Sequence, residues 1–371
     1  MVIHSALMTP HAGSGSRPGH ADEALEFLFR WFGPHDPVQL THMAQVPNVR
    51  TVVTALADFA PGEVWTPEAI QERTELCAAN GLQWTVVESI PLHESIKLGS
   101  PDRDRHIEAW QETLVNLAAA GIHTVCYNFM PVFDWMRTDF EFRLPDGSTS
   151  AAYVQKDFEA VDLSQGMPQL PAWPRGYTAQ ELRAMIARYE GVTSEVMLER
   201  FSYFINQVAP VAEQAGLRLG VHPDDPPWPI LGLPRIVTDE AALAAVLSCT
   251  DNPAHGLTFC TGSLGARADN DLPAMARRFG SRTHFVHARN VRRTGERDFH
   301  EVSHHPSDGD VDLPAVIRAL LESGFSGPIR PDHGRHIWGE QAIVGYGLHD
   351  RALGLMYLQG IHDSIRAGGQ P

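Results

Sequence analysis

From residue 27 onward the chain repeats one unit: a segment with helical spacing of apolar residues, a glycine where that helix should stop, then a short apolar strand. AANG-LQWTVVES, AAAG-IHTVCYNF, EQAG-LRLGVHP, RRFG-SRTHFVHAR and LESG-FSGPIRPDH are five copies of it. Helix starts are also legible. Thr66-Pro67-Glu68 and Ser100-Pro101-Asp102 each set a capping side chain before a proline at the first helical position, and Asp312 before Leu313-Pro314 is a looser version. In the second of these helices Ile107, Trp110, Leu114 and Leu117 recur at three- and four-residue spacing, giving one apolar stripe to lay against a sheet.

The apolar runs predict strands over residues 27–32, 50–56, 84–89, 122–129, 217–222, 255–260, 283–289 and 327–333. Eight strands alternating with helices predict an α/β fold, a single (β/α)8 TIM barrel, with a doubly wound open sheet as the alternative. Residues 131–192, rich in aromatics, proline and aspartate, are too long for a simple connection and read as an insertion after the fourth strand that covers the barrel mouth. Residues 1–26 carry Gly, Ser, Pro and His without periodicity and read as a mobile extension, leaving 27–371 as one catalytic domain.

Charge narrows the function. Asp and Glu outnumber Lys and Arg by 45 to 29, a net charge of -16, which would repel a phosphate backbone, so nucleic acid is not expected as a partner. Without a long apolar run or a secretory signal, the sequence predicts no membrane contact and a cytoplasmic location. Four widely spaced cysteines with no CxxC pair argue against a disulfide framework or a zinc ribbon.

In a barrel the chemistry sits where strands end. Four consecutive predicted strands end in metal-ligating types: His222, Cys260, His287 and Asp332, spaced 38, 27 and 45 residues apart. Singly, each has a structural reading as a rim residue, a small apolar filler or a cap. Together they offer two imidazoles, a thiolate and a carboxylate to one divalent cation. Cys77 and Cys249, placed within helices, and Cys126, inside a strand, read as packing residues. Asp224 and Asp225 read as turn caps, with orientation of the ligands as the alternative, and His304 and His305 as loop residues outside the ligand set.

FRWFGPHDPV, ESIPLHESIKLG, CYNFMPVFDWMRTD, GVHPDDPPWPILGLPRI and RPDHGR together resemble the metal-dependent mannonate dehydratases built on a xylose-isomerase-like barrel, and the similarity runs from about Leu28 to the C-terminal region. The resemblance implies a hydro-lyase of hexuronate breakdown that converts D-mannonate to 2-keto-3-deoxy-D-gluconate. It implies one divalent metal, manganese first and ferrous iron second, on His222, Cys260, His287 and Asp332, with His333 and Tyr346 in catalytic roles. For Tyr346 a neighbouring cation is expected to lower the hydroxyl's proton affinity. An anionic substrate also needs donors at strand ends, for which Arg30, Arg289, Asn128 and Asn290 are the candidates. A homo-oligomer is expected. A sugar isomerase or epimerase on the same barrel, and a sugar-acid sensor without catalysis, are the competing readings; the thiolate of Cys260 argues against the first, and His333 with Tyr346 against the second.

Overall fold

A computed structural model describes residues 25–165 and 178–368. Its strands are β1 (Glu26–Arg30), β2 (Thr51–Thr54), β3 (Gln83–Glu88), β4 (Thr124–Tyr127), β5 (Asp139–Arg143), β6 (Thr149–Tyr153), β7 (Arg218–Val221), β8 (His255–Cys260), β9 (Thr283–Ala288), β10 (Asn290–Arg293), β11 (Phe299–Val302) and β12 (Pro328–Pro331). Eight of them close into a parallel barrel in the order β1-β12-β9-β8-β7-β4-β3-β2. Each of the eight predicted strands is present and takes part in the barrel.

Inside the barrel Leu28, Val53, Val86, Cys126 and Phe285, one from each of five strands, form a small apolar cluster separate from the main core. Phe285 stands edge-on beneath His287 at 4.6 Å between ring centroids, so this cluster is the dry floor of the site above it. The main core lies between barrel and helices. Ile107, Trp110, Leu114 and Leu117 are all buried there, each contributing about 1.5–3 kcal/mol of apolar transfer. Trp110 packs on Tyr127 of β4 and also on Phe204 of the helix Ser194–Gln214, so the stripe faces a neighbouring helix as well as the sheet.

Two of the three expected helix caps are present and the third is not. Thr66 accepts from the Ala69 amide, and Asp312 from the Ala315 amide. Ser100 caps nothing: an additional short helix, Glu94–Leu98, ends at left-handed Gly99, the Ser100 amide turns back to the Ser95 carbonyl, and the next helix starts only at Arg103. Cys249 lies just beyond the helix Glu240–Leu247 rather than within it, whereas Cys77 and Cys126 are where the pattern put them. Leu25 is buried and Glu26 opens β1, so these two residues belong to the barrel rather than to the extension; residues 1–24 lie outside the described residues.

The segment 131–192 holds β5, β6 and the helices Gln155–Glu159 and Ala179–Ala187, with 166–177 outside the described residues. Its hairpin does not stand alone. A second hairpin, β10–β11, emerges directly after barrel strand β9, and β11 pairs antiparallel with β6 to give a four-stranded sheet, β10-β11-β6-β5. This second hairpin is not among the strands the sequence predicts, because NVRR and FHEV carry too few apolar positions to show alternation.

Candidate active site

Parallel register sets the four candidate metal ligands side by side. Cys260, the last residue of β8, pairs with His287 of β9, and His287 in turn with Arg330 of β12, two residues before Asp332. His222 follows β7 directly. Its Nδ1 donates to the Pro223 carbonyl at 2.7 Å, which turns Nε2 toward His287 Nδ1 at 3.0 Å. Asp332 Oδ2 lies 3.6 Å from Cys260 Sγ and 3.9 Å from His287 Nδ1, while Asp332 Oδ1 is ion-paired with Arg330 Nη1 at 2.7 Å. The donor atoms of His222, Cys260 and His287 all lie within 4.8 Å of one another.

Electrostatics prepares these groups to hold a cation. Burial opposes charge on Cys260, but the Arg289 guanidinium and His222 outweigh it and hold the thiol well below its ordinary range. The Ser263 amide also donates to the same sulfur at 3.5 Å, and the Ser263 hydroxyl oxygen lies 3.3 Å from it. Burial likewise resists ionisation of Asp332, and Arg330, His333, Arg289 and His287 together overcome it. His222, despite desolvation, is raised to about 9 by Cys260, Asp332 and Glu88. A thiolate and a carboxylate that draw a proton onto a neighbouring imidazole are a site for which a divalent cation is the better counter-charge, so the residues fit the metal.

The other face of the His287 ring meets a different set. Glu88, at the end of β3, lies 3.1 Å from His287 Nε2, and Cys126 completes a second group of donors. Arg330 already claims Glu88 through two hydrogen bonds of 2.8 and 3.1 Å, and burial with Glu88 keeps the Cys126 thiol protonated. Glu88 therefore orients His287 from behind rather than joining the ligands.

Beside the ligands stand the two residues expected to move protons. His333 Nε2 lies 3.0 Å from the Tyr346 hydroxyl. Tyr346 comes from the 334–347 segment and packs edge-on to Phe32 at 4.5 Å. Gly345 has φ 77°, and a Cβ there would lie 3.2 Å from His333 Cγ, so only glycine lets this segment approach so closely. In the metal-free site desolvation raises the Tyr346 hydroxyl above its ordinary range, and the Arg330 guanidinium opposes that shift.

Residues 25–370 match the D-mannonate dehydratase (UxuA) family. The chain belongs to the mannonate dehydratase family. It is 46% identical to mannonate dehydratase 2 of Halalkalibacterium halodurans over 343 residues, 92% of this chain and 99% of that one. To a mannonate dehydratase of Thermotoga petrophila it is 45% identical over 352 residues, 92% of this chain and 98% of the other. The crystal structure of mannonate dehydratase from Streptococcus suis serotype 2 superposes with a TM-score of 0.86 at 41% identity, covering 94% of this chain and 97% of that one. A xylose isomerase domain protein from Planctomyces limnophilus, 13% identical with a TM-score of 0.53 over 93% of this chain and 99% of its own, shares the fold.

In this member of the mannonate dehydratase family a cavity of about 500 Å³ opens above the ligands, walled by Asn128, Trp135, His222, Arg289, Asp332, His333 and Tyr346 among others. Asn128 and Arg289, two of the four expected substrate donors, are thus in the wall. The other two are not. Arg30 donates to the Trp31 carbonyl, and the Asn290 amide is used by His305 O and the Val311 amide, so it fastens the loop after β11. Arg289 is itself engaged: Asp225, Ser263 and Glu301 all accept from it.

Asp224 and Asp225 split between the two readings open to them. Asp224 accepts from the Ile236 and Val237 amides and is structural. Asp225 instead lines the cavity, pairs with Arg137 and Arg289, and accepts from Ser263, which makes it part of the support behind Cys260. His304, held by the Ala288 carbonyl, stays outside the ligand set. Sequence reading missed Glu88, Arg330, Trp135, Arg137 and Glu301. Glu88 and Arg330 carry a usable signal, since each closes or nearly closes a barrel strand; Arg137 and Glu301 carry none, because pairing of the two hairpins is what brings them in.

Proposed function

We propose that the site dehydrates D-mannonate to 2-keto-3-deoxy-D-gluconate, as a step of hexuronate breakdown in the cytoplasm, with one divalent cation held by His222, Cys260, His287 and Asp332. The carrying observation is the 3.0 Å contact between His333 Nε2 and the Tyr346 hydroxyl beside that donor set. Manganese is the ion we favour, ferrous iron the second, since a mixed set with a carboxylate accepts either. Bound there, the cation supplies charge stabilisation next to the substrate carboxylate and fixes one pose.

The remaining work falls to side chains. Loss of water from an aldonate needs removal of the C2 proton and protonation of the C3 hydroxyl as it leaves. Desolvation keeps Tyr346 protonated, so its hydroxyl is the donor to the leaving oxygen, and His333 Nε2 is the acceptor of the C2 proton. Asn128 and the Trp135 indole, whose Nε1 is buried without a partner, are available to the substrate hydroxyls. The enol left by the reaction takes a proton at C3, and the cavity's own proton pair lies next to it.

We also propose that the enzyme is a homo-oligomer, the common state of barrel enzymes.

Turnover in D2O tests this sequence of steps. The product should have lost one water and carry one deuterium at C3, and Tyr346→Phe and His333→Gln should each lower kcat by about 10²–10⁴. A product that keeps all its hydroxyls, or full activity in Tyr346→Phe, would overturn it.

A further inference from the structure

We infer that Glu301, on the hairpin after β9, is a positioning residue that fixes the His333 ring with its proton on Nδ1 and its lone pair on Nε2. This deepens the reading of His333 as the base and rests on it. Glu301 is fully buried, and its Oε1 lies 2.6 Å from His333 Nδ1. The same oxygen accepts from Arg137 at 2.8 Å and from Arg289 at 3.0 Å. Between two guanidiniums the group is a carboxylate, which only accepts, so the nitrogen facing it must carry the proton.

Arg289 competes for that nitrogen. Its NH1 is also 2.6 Å from His333 Nδ1 and could donate to a bare ring nitrogen instead. Arg289, however, already has Asp225, Ser263 and Glu301 as acceptors, whereas Glu301 is what Nδ1 has to donate to. With the proton on Nδ1, Nε2 is left bare toward the Tyr346 hydroxyl, which donates to it at 3.0 Å. Trp135 stands edge-on to the ring at 5.2 Å and holds its plane. In water a neutral histidine prefers the opposite tautomer, with the proton on Nε2, so the arrangement depends on the acceptor behind it.

The prediction separates acceptor from charge. In Glu301→Ala, Nδ1 has no acceptor and takes the Arg289 donor, which moves the proton to Nε2 and removes the base. In Glu301→Gln, both guanidiniums draw the amide oxygen to the Oε1 position, so Nδ1–H keeps its acceptor.

Nitrogen-15 spectra of the histidine rings in zinc-loaded protein read the tautomer directly, with His333 assigned by its absence in His333→Gln. The wild type should show a protonated Nδ1 and a bare Nε2, retained in Glu301→Gln and reversed in Glu301→Ala. With D-mannonate, kcat should fall at least about a hundredfold in Glu301→Ala and no more than about tenfold in Glu301→Gln, with KM within about threefold in both. A protonated Nε2 in the wild type overturns the inference even if neither variant folds. A folded Glu301→Ala that keeps the wild-type tautomer or kcat overturns it as well. The spectra decide the matter whether or not the wild type turns over mannonate, so failure of the substrate assignment shows separately.

Discussion

Cys126 and Cys260 are both buried within barrel strands, yet their thiols are driven in opposite directions. Cys126 lies partway along β4 within the apolar floor, where burial and Glu88 keep it protonated; Cys260 ends β8, where Arg289 and His222 overcome the same burial and favour the thiolate. Position within the strand is what separates the expected ligand from the expected filler in the sequence, and the charges that drive the two thiols apart do not show there. Cys260→Ser should weaken metal binding at least about tenfold, read as metal content after gel filtration, while Cys126→Ser should keep both metal and activity. Equal metal in the two variants would mean that Cys260 is not a ligand. Two other buried residues set an acid limit on stability. Burial depresses His255 and His284 to about 4, each held by a backbone carbonyl, Val246 O and Leu219 O respectively. An unfolded chain protonates them near about 6.5, so the unfolded state binds protons first as pH falls. Their contribution is complete above about pH 6.5 and is lost progressively down to about pH 4, at most about 3 kcal/mol per imidazole. Urea midpoints should fall between pH 7 and pH 5; an unchanged midpoint would show that these rings titrate alike in both states.

At the scale of elements, the barrel strands were legible because each is a short apolar run, five of the eight following a helix-stopping glycine. The hairpin β10–β11 was not, since Arg292, Arg293, His300 and Glu301 interrupt any apolar alternation and its stability comes from pairing with β6, a strand some 150 residues earlier in the chain. Arg137 joins the two insertions. Fully buried at the start of the first, it pairs with Asp225 of the loop after β7 and Glu301 of the second hairpin, at 2.7 and 2.8 Å. Such a cation could not be singled out from sequence, because its partners lie 88 and 164 residues away. Arg137→Ala should cost about 3–5 kcal/mol, the usual result of leaving buried carboxylates short of a partner, and should lower kcat through the displaced Glu301 and Asp225. Guanidinium denaturation and steady-state kinetics on the same preparation check both; a variant with wild-type midpoint and kcat would show that the insertions hold their places without it.

For the molecule as a whole, closure of the barrel matters more than any single element. His222, Cys260, His287 and Asp332 come from strands that are consecutive around the barrel, β7-β8-β9-β12, although the last two are separated in the chain by a hairpin and a helix. An open sheet would spread the same ends along a line. One strand end per repeat, converging on a common axis, is the feature that let spacing alone propose a metal site, and a solved member of the mannonate dehydratase family to which the chain belongs has the same fold. The most direct measurement is formation of a 2-keto-3-deoxy acid from D-mannonate by protein stripped with chelator and then given back manganese, with D-gluconate, D-altronate and D-fructuronate as comparison substrates. Stripped protein should be inactive, manganese should restore turnover, and mannonate should be the preferred substrate. Undiminished turnover after complete stripping, or restored protein that isomerises a sugar without forming the keto-deoxy acid, would contradict a metal-assisted dehydration at this site.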